Sequence, residues 1–119
     1  MARSNQEAFE THLVSLGAGD LDKIAADYTD DCIQITNRQT RRGKDGVREA
    51  FAAIFQDLAA HGEIKGGVEV PVRVFEGDVL YIEWWVDMGD LRCDGVDTFV
   101  FDDGQISVQT VKYSIGKAS

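Results

Sequence analysis

Two hydrophobic periods divide the chain. Up to Leu58 apolar residues recur every three or four positions, and beyond Gly62 they recur at every second position. "SNQE", Ser4 to Glu7, has the Ser-x-x-Glu form of a capping box, and Phe9, Leu13 and Leu16 follow at helical spacing. Gly17 and Gly19 stop that first helix, and Asp20 can cap a short second one in "DLDKIAADY". "CIQITN", Cys32 to Asn37, alternates apolar and polar residues and predicts a strand, with Asp30 and Asp31 in the turn before it. A longer third helix follows, since Val47, Phe51, Ile54, Phe55 and Leu58 form one wide apolar stripe.

Four strands are expected after Gly62: "VEVPVRVFE", "VLYIEWWVDM", "GVDTFVFD" and "QISVQTVKY". Short turns at "EGD", "MGD" and "DDG" make consecutive strands antiparallel neighbours. Pro71, the only proline, suits an edge strand or a bulge. Helices followed by a strand meander predict one α+β domain over residues 1–119, its helices packed on one face of a curved sheet. Val96, Val100 and Val108 lie opposite the Phe99, Phe101 and Val111 face. A sheet apolar on both sides needs two covers, the helices and a second subunit.

Asp97 disturbs this pattern. It sits two residues before Phe99 and four before Phe101, so alternation turns all three to one apolar face. A carboxylate there pairs, protonates or stays wet.

Charge and composition narrow the partners. The net charge of −9 argues against nucleic acid and acidic membranes, because phosphates call for Lys and Arg. No apolar run reaches the ~18 residues of a membrane span, and "MARSNQEAF" lacks the apolar stretch of a secretion signal. The one basic cluster, "NRQTRRGK", reads as a solvated loop. Cys32 and Cys93 lie far apart, without CxxC spacing or a nearby His, so no metal site is expected and reduced thiols in a cytoplasm fit best. His12 and His61 are assigned to a helix surface or a helix end.

"LVSLGAGDLDKIAADYTDD", "RRGKDGVREAFAAIF" and "DTFVFDDGQI", in that order, resemble the SnoaL-like branch of the nuclear transport factor two superfamily over roughly residues 5 to 114. The resemblance implies a cone-shaped α+β barrel, with three helices on the concave face of a strongly curved, mostly antiparallel sheet. It also implies a hydrophobic pocket between helices and sheet, a homodimer formed through the sheet, and acid–base chemistry without a cofactor. Asp97 matches the acid with which ketosteroid isomerase donates a hydrogen bond to an oxyanion, through "VDTFVF" leading into an Asp-Gly turn. That enzyme's oxyanion tyrosine falls on Leu13 and its proton-shuttling aspartate on Thr36. "WWVD" matches a strand of limonene epoxide hydrolase and keeps Asp87, but Trp85 replaces the arginine of its relay and Val111 replaces the second aspartate. The strand histidines of scytalone dehydratase have no counterpart. The family pocket is retained, and none of these catalytic sets is complete.

The register implied by the family turns Tyr81, Glu83, Trp85 and Asp87 inward from one strand, beside Asp97 and Phe99. Gln109, Val111 and Tyr113 are expected inward from the last strand, with Thr36 and Tyr28 completing the lining. Glu83 close to Asp97 would leave one of two carboxylates protonated, a donor beside an acceptor. If the register slips by one, Glu83 faces solvent instead. Two functions follow. The first is an acid–base enzyme acting on a small apolar carbonyl or polycyclic compound, with Asp97 as donor or acid and Glu83 or Asp87 as base. The second is a dimeric ligand-binding or partner-docking module with no turnover.

Overall fold

A computed structural model of the chain describes residues 3–117. Helix α1 (Asn5–Ala18) opens on the expected capping box: Ser4 Oγ accepts from the Glu7 amide and Glu7 reaches back to the Ser4 amide. Gly19 closes it with φ 65°, the left-handed geometry that glycine adopts without strain. Asp20 caps α2 (Leu21–Ala26) through the amides of Asp22 and Lys23. Helix α3 spans Gly43–His61 and buries Val47, Ala50, Phe51 and Leu58. Among the described residues, no helix is long and apolar enough to cross a membrane.

Six strands form one sheet: β1 (Tyr28–Thr36), β2 (Thr40–Arg42), β3 (Lys65–Glu76), β4 (Val79–Met88), β5 (Leu91–Asp102) and β6 (Gln105–Lys117). Their order is β2-β1-β6-β5-β4-β3. All neighbours are antiparallel except β1 and β6, which run parallel. The sheet is curved but open, with β2 and β3 at its edges, so the barrel of the resemblance does not close. Two local expectations change. Strand β1 begins at Tyr28, so Asp30 and Asp31 belong to its irregular first half rather than to a preceding turn. Part of the basic cluster forms β2, pairing Arg42 with Ile33.

The last three hairpins turn tightly. Asp103 and Gly104 both take positive φ, the Asp-Gly chemistry of a two-residue turn. Pro71 lies on edge strand β3, where the pairing shifts between Glu69 and Val72. A strand edge with a bulge is where a missing amide hydrogen costs least.

Helices α1 and α3 cover the concave face. Phe9 of α1 meets Phe99 of β5 edge-on at 5.6 Å, and Phe99 stacks on Phe101. Tyr28, Phe51, Leu80, Ile82 and Ile106 complete the main core. A second cluster of Leu58, Val86, Met88 and Cys93 fills the other end.

Candidate functional site

Between the two clusters the helices stand away from the sheet and leave a cavity of ≈ 730 Å³. Its walls are apolar: Phe9, Leu13 and Leu16 from α1, Ile54, Phe55 and Leu58 from α3, and Ile82, Trp84, Val86 and Phe99 from the sheet. Few polar side chains reach it, and the buried ones are His12, Asp97 and Gln109.

Asp97 lies where alternation predicts, on the inner face of β5, and is only 7 % exposed. Trp84 Nε1 donates to its Oδ1 at 2.9 Å and Gln109 Nε2 donates to its Oδ2 at 2.8 Å. Burial pushes the Asp97 carboxyl up to about 6, while those two bonds and the nearby His12 oppose a further rise. In the Gln109 amide, Oε1 accepts from the Tyr28 hydroxyl and from Gln34 Nε2, and the NH2 group faces Asp97. Gln34 Oε1 accepts nothing among the described groups, a mismatch of about 1–3 kcal/mol. Burial drives the Tyr28 hydroxyl well above its usual value, so it stays a donor. Tyr28 therefore sits behind Gln109 rather than in the lining.

His12 contradicts the sequence expectation. It is 1 % exposed and lines the cavity, not a helix surface. Its position three residues after Phe9 and four before Leu16 places it on the buried stripe of α1, a signal the sequence already carried. Its ring lies edge-on to Tyr28 and Phe99 at 5.6 and 5.7 Å. Its Nδ1 is 3.1 Å from Oδ2 of the buried Asp27, which caps the end of α2. His61 is exposed at the end of α3, beside Asp57.

The pairing of β4 with β5 overturns four expected lining residues. Asp97 pairs with Ile82, and Glu83 pairs with Val96. Leu80, Ile82, Trp84 and Val86 therefore face inward, while Tyr81, Glu83, Trp85 and Asp87 face the outer side. Glu83 accepts from the Tyr81 hydroxyl at 2.7 Å, and the Arg92 guanidinium lies 3.9 Å from the Trp85 ring. Asp87 Oδ1 accepts from the Gly89 amide in the β4–β5 turn. Thr36 closes the β1–β2 turn through the amides of Arg38 and Gln39 and lies outside the cavity. Gln109, Val111, Phe99 and Tyr113 do line it, with the Tyr113 hydroxyl donating to Asp57 at 2.8 Å. Among the described residues, no three His, Cys, Asp or Glu side chains are grouped to hold a metal ion.

The SnoaL-like domain model matches residues 9–109. The chain belongs to the SnoaL-like family. No curated protein matches it in sequence. Among solved structures, an NTF-2 like protein from Burkholderia xenovorans shares 22% identity over 97% of this chain and 86% of its own, with a TM-score of 0.71. SalBIII, described as an epoxide hydrolase/cyclase-like enzyme in pyran ring formation in the polyether salinomycin, shares 18% over 96% and 95%, with a TM-score of 0.74. A de novo designed protein with a curved β-sheet reaches 0.75 at 16% identity, covering 96% of this chain and 88% of its own. Such identities establish the common fold, and SnoaL-like membership leaves substrate and reaction to the side chains in the cavity.

Proposed function

We propose that this SnoaL-like protein is an acid–base enzyme working with its own side chains on a small, mostly apolar carbonyl or polycyclic substrate, of the isomerase, cyclase or dehydratase type. One observation carries the reading: a buried carboxylate and a carboxylate-oriented imidazole open onto the same apolar cavity. Chemistry of this kind needs a proton acceptor and a proton donor on one substrate.

The roles differ from those expected from the sequence. With two donors already on its oxygens and a pKa of about 6, Asp97 is mainly an anion at neutral pH. It acts as base rather than acid, taking a proton from a substrate carbon or hydroxyl through a remaining lone pair. Asp27 holds Nδ1 of His12, which leaves Nε2 for the substrate oxygen. In its imidazolium form, His12 donates there as negative charge develops. The step ends with Asp97 protonated and His12 neutral. Asp97 then returns its proton to another substrate atom while His12 Nε2 takes back the proton from the substrate oxygen, and both are reset. Glu83 and Asp87, on the outer face, take no part. Resemblance of fold to SalBIII supports the reaction class by analogy only.

Incubation in D2O with a panel of apolar ketones and polycyclic phenols tests the reading. Mass spectrometry should find deuterium at carbon in ligands that bind, and Asp97→Asn should abolish it. Ligands bound but recovered unlabelled would favour the second reading, a binding module without turnover. That reading draws on the fact that both Asp97 oxygens already carry a donor.

We further propose that a second copy of the chain covers the outer face. Exposed Ile35, Val74, Tyr81 and Val96 support this, and sedimentation should give a dimer that Val96→Asp weakens. The two buried, unpaired thiols of Cys32 and Cys93 agree with the cytoplasmic location expected from the sequence.

A further inference from the structure

We infer that Gly95 is a positioning residue: its missing side chain is the slot that aims the Trp84 indole at Asp97. The inference deepens the reading of Asp97 as proton acceptor and rests on it only for its catalytic consequence. Gly95 stands directly opposite Trp84 in the β4–β5 pairing and opposite Tyr113 in the β5–β6 pairing. Like Asp97, two residues on, it lies on the inner face of β5. A side chain here would point into the cavity side of the sheet. Trp84 occupies that space instead. A Cβ on Gly95 would come within 2.2 Å of Trp84 Cζ2, 2.3 Å of Cε2 and 2.7 Å of Nε1.

The glycine is not needed for its backbone. Only Gly19, Gly43, Gly62, Gly66, Gly77, Gly89 and Gly104 take positive φ among the described glycines, and Gly95 is not one of them. The three closest atoms all belong to the indole. The indole occupies the space over residue 95, and from there its Nε1 reaches Asp97 Oδ1, two residues along β5, at 2.9 Å. Tyr113, 6.4 Å from Trp84 between ring centres, backs the indole on the other side. A methyl group at position 95 lifts the ring away from the strand and withdraws its donor. Gln109 Nε2 remains on the carboxylate, so the loss falls on one bond of two.

Removing a donor from an ionised carboxylate raises its pKa. Of the titratable groups around Asp97, His12 from α1, Glu63 after α3 and Tyr113 from β6 line the same cavity, and Tyr28 from β1 stands behind Gln109. The three atoms nearest a methyl at position 95 all belong to Trp84. The test follows the Asp97 carboxyl by ¹³C NMR titration, assigned by its absence in Asp97→Asn, and needs no substrate. Wild type should titrate near 6. Gly95→Ala should move the midpoint up by about one pH unit, Trp84→Phe should do the same, and the double variant should match either single one. If Gly95→Ala folds with an unchanged midpoint, or if the two shifts add, Gly95 only fills space and the inference falls. If Gly95→Ala does not fold, the double variant decides. Folding restored by Trp84→Phe supports the slot, and failure of the double variant overturns it. Absence of turnover in the D2O experiment would remove the acid–base reading and leave these midpoints unchanged in meaning.

Discussion

Asp97 and Glu83 sit on adjacent strands within one pairing step of each other, yet on opposite faces of the sheet. The inner face is covered by α1 and α3. There Asp97 is buried, takes two protein donors and is pushed up to about 6. Among the described residues no element covers the outer face. There Glu83 is exposed, and its bond to Tyr81 raises the tyrosine. The same functional group on the same sheet is a buried carboxyl with a raised pKa on one side and a surface charge on the other. Burial, not residue type, makes the difference.

The contrast can be broken at several levels. The largest effect lies in the inner wall. Phe99→Ala should cost about 3–5 kcal/mol in urea unfolding, whereas Val96→Ala, on the outer face and 41% exposed, should cost under about 1 kcal/mol in the isolated chain. Comparable losses would mean the outer face is buried as deeply in solution as the inner.

The second effect is a pH window. The Asp97 carboxyl moves from an ordinary value of 3.8 to about 6 on folding. Below the lower value both states are protonated, and Asp97 adds no pH dependence. Between the two values the unfolded chain ionises first, so stability falls as pH rises and stays lower above about 6. The full difference is about 3 kcal/mol. Asp97→Asn should remove that slope, which denaturant titrations at pH 4, 5, 6 and 7.5 would reveal. The slope is the observable to use, because Asn places an NH2 group against the donor of Trp84 or Gln109 and shifts all the values together.

A smaller effect tests the amide chain behind Asp97. Tyr28→Phe removes a donor from Gln109 Oε1 and should cost about 1–2 kcal/mol, read by thermal or urea unfolding. On the outer face, Glu83→Gln should change stability by no more than about 0.5 kcal/mol and lower the Tyr81 pKa, visible in an ultraviolet pH titration.

Most of the fold was legible, because the switch from helical to alternating period falls at Gly62, where α3 ends. Asp97 was legible too, since Phe99 and Phe101 fix the parity of β5. Strand β4 was not, because "VLYIEWWVDM" carries large apolar residues on both parities. Its parity comes from the turn. Gly89 and Asp90 are the only residues between Met88 and Leu91, which pair, and counting back from that two-residue turn sets Ile82 against Asp97. His12 was missed because histidine in a helix reads as polar, although its spacing from Phe9 and Leu16 put it on the buried side. Asp27 is its partner only through tertiary structure, since fifteen residues and a helix separate the two. Gln34 and Gln109 meet because β1 and β6 pair in parallel, a contact that no local pattern announces.

That parallel pairing also governs the order of events during synthesis. Strand β6 lies between β1 and β5, so without it the sheet falls into two pieces, β2-β1 and β5-β4-β3. Residues 28–36 leave the ribosome early and must wait for residues 105–117 before they have a neighbour on that side. The contact spans most of the chain, the kind of long-range closure that slows folding and leaves strand edges bare in the meantime. Gln109, the amide that steadies Asp97, arrives on that last strand. The cluster of Asp97, Gln109 and Tyr28 is therefore incomplete at any intermediate length, and a nascent protein halted before residue 105 would expose the edge of β1 to any other strand it met.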